Sequence, residues 1–136
     1  MKYLVDANVL SEATRPQPSE AVVQWLRDHE PDLIVTPIVL GEIEYGILLR
    51  PAGRKRTRLQ EWFRPGVQRL RILDIDSHTA IVWASLLARL KSSGKSMPVK
   101  DSLIAASALQ HQLAIVTRNQ ADFRYSGVPL IDPFED

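Results

Sequence analysis

The chain has 136 residues, 45% of them hydrophobic and 24% charged, a balance ordinary for one globular domain (1–136) with a core of useful size. It contains no cysteine, which excludes disulfides, thiol catalysis and Cys-ligated zinc. No apolar run approaches the ~20 residues that span a bilayer, and the start of the chain lacks the pattern of a secretory signal, so a cytoplasmic protein is expected.

The opening stretch sets the pattern. Tyr3, Leu4 and Val5 form a short apolar run with strand propensity, stopped by the charge of Asp6, with Asn8 two residues on. In an open parallel α/β sheet, sites are built at the carboxyl ends of strands. Asp6 therefore reads either as a site carboxylate or as the cap of the next helix. Val9 to Ala13 is a short helical turn broken by Arg15-Pro16-Gln17-Pro18. Ser19 caps a helix whose apolar face is Val22, Val23, Trp25 and Leu26, and Glu30-Pro31 ends it. Leu33 to Thr36 is a second strand.

Pro37 suits the first turn of a helix running to about Leu49. Ile38, Glu42, Tyr45 and Leu49 share one face of it. Glu42 is then either an acid at the stripe's edge reaching water or a carboxylate aimed inward at a cation. Arg50 to Arg71 carries eight positive charges against one acid, Glu61: +7 in a chain whose total is +1, leaving −6 for the remainder. Leu59, Trp62 and Phe63 give this segment an apolar stripe. Its charges read as a solvated face or as a phosphate-contacting rim.

Arg71 to Ile75 is a third predicted strand. Ser77-His78-Thr79 opens a long helix with the stripe Val82, Trp83, Leu86, Leu87 and Leu90, and Gly94 sits where a terminating glycine is expected. After the loop Lys95 to Pro98, a helix spans Ser102 to Gln112 with Asp101 at its first turn. There the helix dipole favours the ionised form, and a plain cap is the alternative. Leu113 to Thr117 is a fourth strand, apolar enough to be buried on both faces. Asn119 and Asp122 follow its carboxyl end. Val128 to Ile131 is a short edge strand that would tolerate Pro129, and Asp132 to Asp136 is tail. Strands alternating with helices predict a small, mainly parallel sheet of four to five strands with helices on both sides.

Asp6, Glu42, Asp101 and the pair Asn119/Asp122 thus converge. Clustered carboxylates repel one another and stay ionised when a divalent cation neutralises them. Oxygen donors without a Cys or His cluster point to Mg2+, with Mn2+ as a substitute, and such a site suits phosphodiester hydrolysis. His29, His78 and His111 share no ligand spacing and read as surface residues. No nucleophile elbow or phosphate loop is present. A receiver-like signalling domain would want an adjacent acid pair near the first strand, where this chain has only Asp6 with Asn8.

Val5-Asp6-Ala7-Asn8-Val9-Leu10, Leu40-Gly41-Glu42-Ile43, Pro98-Val99-Lys100-Asp101-Ser102-Leu103-Ile104-Ala105 and Val116-Thr117-Arg118-Asn119-Gln120-Ala121-Asp122-Phe123, in this order, resemble the PIN domain, and most of all the VapC/FitB-type toxins of toxin–antitoxin pairs. The ending Gly127 to Phe134 is similar too. The resemblance implies a PIN-like three-layer α/β/α sandwich and a metal-dependent single-strand endoribonuclease. Asp6, Glu42 and Asp101 fall on the family's three main acids, and Asn119, with Asp122 beyond it, on the variable fourth. Asp6 and Asp101 would bind metal, Glu42 would bind metal or orient water, and Asn8 would hold these carboxylates. Asn119 and Asp122 would complete the metal shell or steer the water, and Arg118 is a candidate for substrate phosphate against a plain solvated arginine. Ala7 departs from the family's usual hydroxyl residue, removing one hydrogen bond to a site carboxylate or water. The resemblance also implies a homodimer and a cognate antitoxin covering a groove near the acids, with a larger complex on operator DNA. The alternative is a non-catalytic PIN-like module that binds RNA or a partner.

Overall fold

The computed structural model describes residues 2–67 and 69–134. Met1, Gln68 and the last two residues of the predicted tail, Glu135 and Asp136, lie outside it.

Five parallel strands, β1 (Tyr3–Val5), β2 (Leu33–Val35), β3 (Arg71–Ile72), β4 (Ala114–Val116) and β5 (Leu130–Ile131), lie in the order β3-β2-β1-β4-β5. β1 is central. Leu4 pairs with Ile34 on one side and Ile115 on the other, and Val5 pairs with Val116. Burial on both faces demands unbroken apolar runs, and Leu4, Val5, Val35, Ile115 and Val116 are all fully buried. The helices are α1 (Ala7–Leu10), α2 (Glu20–Asp28), α3 (Pro37–Leu48), α4 (Arg54–Val67), α5 (Ser77–Ser92), α6 (Val99–His111) and α7 (Gln120–Phe123). They flank the sheet as a three-layer α/β/α sandwich.

The strand order fixes where a site can form. The chain lays β2 and β3 on one side of β1, then returns to place β4 and β5 on the other. Connections out of β1 and β4 therefore diverge, opening a crevice at the carboxyl ends of these two strands.

Several predicted boundaries shift for local reasons. β3 ends at Ile72 rather than Ile75. Its partner β2 stops at Val35, because Thr36 turns away to cap α3, its hydroxyl accepting the Val39 amide at 3.4 Å. β5 is two residues long: Pro129 offers no N–H, although its carbonyl accepts the Ile115 amide at 2.9 Å. α5 begins at Ser77 as the sequence predicts, and its cap is Asp76, in a reciprocal pair with Thr79. α6 begins at Val99 because Pro98 sits at its cap position. In α3 the core face is Val39, Ile43 and Ile47, whereas Tyr45 and Leu49 of the predicted stripe are 64% and 66% exposed. His29 is not a surface residue. It is half-buried, stacked on Trp25 at 4.0 Å, with Tyr3 packed edge-on to both rings.

Candidate active site

Asp6 is the residue at which β1 meets the crevice, and it is 3% exposed. A carboxylate so buried needs partners, and it has three. The Ala7 amide donates to Oδ1 at 2.8 Å, the Thr117 hydroxyl donates to Oδ2 at 2.7 Å, and the Asn8 side-chain amide donates to Oδ2 at 3.3 Å. Asp6 is thus both the cap of α1 and a site residue. Capping occupies Oδ1, while Oδ2 is held by Thr117 from across the crevice and by Asn8 two residues on.

Thr117 is the hub of that arrangement. Its hydroxyl donates to Asp6 and accepts from the Asn8 side chain at 3.4 Å and the Asn119 amide at 3.0 Å. Asn8 closes the circuit by accepting the Arg118 amide at 3.1 Å. Sequence reasoning placed Thr117 only as a strand residue. Its signal was a hydroxyl ending an otherwise apolar run two positions before Asn119. It also answers the loss noted at Ala7, since the hydroxyl bonded to Asp6 comes from Thr117, the residue after β4.

Glu42 projects from α3 toward the same crevice. Its Oε2 is 3.3 Å from Lys100 Nζ, while its Oε1 is buried without a hydrogen-bond partner among the described residues. Such an orphan costs about 1–3 kcal/mol. Burial, then the charge of Asp6, raises the Glu42 carboxyl above its usual range, and Lys100 opposes both. Asp101 lies in the first turn of α6. Burial pushes it up to about 6, reinforced by Asp6, Asp122 and Glu42 in that order and opposed by Lys100. Asp101 therefore lies within electrostatic reach of three other acids. Asn119 and Asp122 sit on the exposed rim of α7, and of the two it is Asp122 that brings charge.

These residues fit a hard divalent cation in donor type, in the orphan oxygen of Glu42 and in mutual repulsion that a positive charge would relieve. Among the described residues, no three acidic side chains already stand as a closed ligand cage, and Lys100 is the cation that Glu42 meets.

A model of the PIN domain family matches residues 3–126. The chain is 35% identical over 137 aligned residues to Toxin FitB of Neisseria gonorrhoeae, covering 98% of this chain and 99% of that protein. It is 32% identical to VapC ribonuclease Y4jK of Sinorhizobium fredii over 97% of both. It superposes on a solved structure of FitAB bound to an IR36 DNA fragment with a TM-score of 0.92 and 33% identity, over 98% of this chain and 96% of that one.

Proposed function

This chain belongs to the PIN domain family, and from that premise we propose that it is the toxin of a toxin–antitoxin pair, a divalent-metal-dependent endoribonuclease that cuts single-stranded RNA. The observation that carries this reading is the convergence of Asp6, Glu42, Asp101 and Asp122 at the carboxyl end of β1, where burial and mutual repulsion raise Asp101 to about 6.

Asp6 and Asp101 would hold the metal, Mg2+ with Mn2+ able to substitute. Glu42, with its unpartnered Oε1, would bind it or orient the attacking water, and Asn119 with Asp122 would complete the shell. When bound, the ion supplies charge stabilisation at the phosphoryl group and a more acidic water. The chain's own residues do the positioning. Thr117 and Asn8 fix Asp6, and an orientation held in this way is worth about 10–100-fold in metal affinity or activity. Lys100 opposes the upward shift that burial and Asp6 impose on the Glu42 carboxyl, and Arg118 would meet a substrate phosphate.

The domain spans 1–136 and works in the cytoplasm, where its RNA is. No helix among the described residues is long and apolar enough to cross a membrane. Tyr45, Leu48, Leu49 and Trp62 are exposed, and this apolar area serves a second copy of the chain and the cognate antitoxin, the complex then binding operator DNA.

Incubation of mixed single-stranded RNA and single-stranded DNA pools with Mg2+, Mn2+ or chelator tests the class of reaction. The expected result is RNA cut in either metal and left whole in chelator, with DNA persisting. RNA bound but uncut in every condition would instead assign the chain as a binding module.

A further inference from the structure

Beyond the acids, the crevice continues into a second cavity of about 320 Å3, whose cations are Arg15, Arg50 and Arg118. These come from three separate segments: the loop after α1, the end of α3 and the turn after β4. The cavity shares Asn8, Ser11, Thr14 and Arg50 with a cavity of about 250 Å3 that Glu42 lines, so one groove runs from Glu42 to the arginines. Among the described residues Arg50 and Arg118 have no acidic partner, while Arg15 lies 3.6 Å from Glu12. Glu12 is itself buried and accepts the Ser19 amide at 2.8 Å, so it offsets one of three charges. The Arg118 guanidinium lies over the Phe134 ring, 4.4 Å from its centroid.

We propose that this second cavity is a subsite for a phosphate of the RNA strand flanking the cleaved bond, with Arg50 and Arg118 as its recognition groups. The inference rests on the nuclease reading. A site built of four acids repels a polyanion, so binding must come from cations close by that leave the acids free. Guanidinium groups match a phosphodiester through their paired N–H donors. Arginine beside an aromatic ring is also the combination by which single strands are held without sequence reading. Register follows from Asn8. One end of its side chain touches Asp6 and the other accepts the Arg118 amide, so the subsite is bolted to the acids.

The test is binding of a fluorescent single-stranded RNA of mixed sequence to the full chain carrying Asp101→Asn, which blocks cutting, across a salt series in Mg2+. Arg50→Gln and Arg118→Gln are each expected to weaken binding about three- to tenfold and to flatten the slope of log K against log salt by about 0.7. Arg118→Lys should recover most of the slope. Lys91→Gln, on α5 and outside the groove, should change neither quantity. Unchanged affinity and slope in the two arginine variants would overturn the proposal, as would an equal loss in Lys91→Gln. Wild type that cuts no RNA while the arginine variants still lose affinity would leave the subsite standing and remove the nuclease reading. Arg50→Gln and Arg118→Gln made without Asp101→Asn that cut RNA with the KM of wild type would remove the subsite alone.

Discussion

Asp101→Asn is expected to abolish RNA cleavage while making the metal-free protein more stable at neutral pH. The two effects share one cause. Burial and the neighbouring charges of Asp6, Asp122 and Glu42 raise the Asp101 carboxyl to about 6 from an ordinary 3.8. The folded protein therefore keeps this proton through a window in which the unfolded chain has lost it. Stability falls as pH rises from about 4 to about 6, and above that the penalty is complete. Asn has no charge to lose. After discounting for the solvent that reaches this half-buried group, relief is roughly 1 kcal/mol, or about 3–6 °C in melting temperature at pH 7. Cleavage moves the other way. Removing a carboxylate that holds the cation forfeits several kcal/mol of transition-state stabilisation, at least about a thousandfold in rate. Thermal melts at pH 4.5 and pH 7.5, with and without Mg2+, give the check. Wild type should gain more from Mg2+ at the higher pH, and the variant should gain little at either. A variant that melts lower than wild type at pH 7.5 would show that Asp101 is not strained.

Thr117→Val should cut activity by about 10–100-fold without unfolding the protein. Valine matches threonine in shape and keeps the buried position filled, but it leaves Asp6 Oδ2 without its 2.7 Å hydrogen bond. It also strips the Asn119 amide of its acceptor. A hydrogen bond to a charged group contributes about 1.5–3 kcal/mol, so some loss of stability accompanies the change. What separates positioning from stability is rescue. Thr117→Ser restores the hydroxyl and should return both Mg2+ affinity, read by calorimetry, and cleavage to within a few-fold of wild type. If Thr117→Val binds Mg2+ as wild type does, the hydroxyl does not hold Asp6 for the metal.

The position of Asp6 at the end of β1 was legible from sequence because an apolar run stopped on a charge, a pattern that needs no tertiary information. The parallel sheet was legible from the same alternation of strands and helices. The face of α3 was not. Pro37 to Leu48 is apolar almost all round, so Val39, Ile43 and Ile47 compete with Ile38, Tyr45 and Leu49 on equal terms, and only packing against the sheet and α4 chooses between them. Thr117 and Lys100 were passed over for another reason. Their partners lie 111 and 58 residues away, and the pairing of Val5 with Val116 is what brings β1 and β4 side by side. The groove formed by Arg15, Arg50 and Arg118 is likewise a product of chain crossing. The basic segment advertised Arg50, but nothing local links it to Arg15 or Arg118.

Cleavage of one single-stranded RNA by wild type and Asp6→Asn in parallel, each with Mg2+, with chelator and with Mg2+ restored, is the most direct test. Wild type should cut with Mg2+, stop in chelator and resume when the metal returns, while Asp6→Asn should leave the RNA whole throughout. Cutting that persists in Asp6→Asn or in chelator would mean that the acids at the end of β1 are not where the reaction occurs.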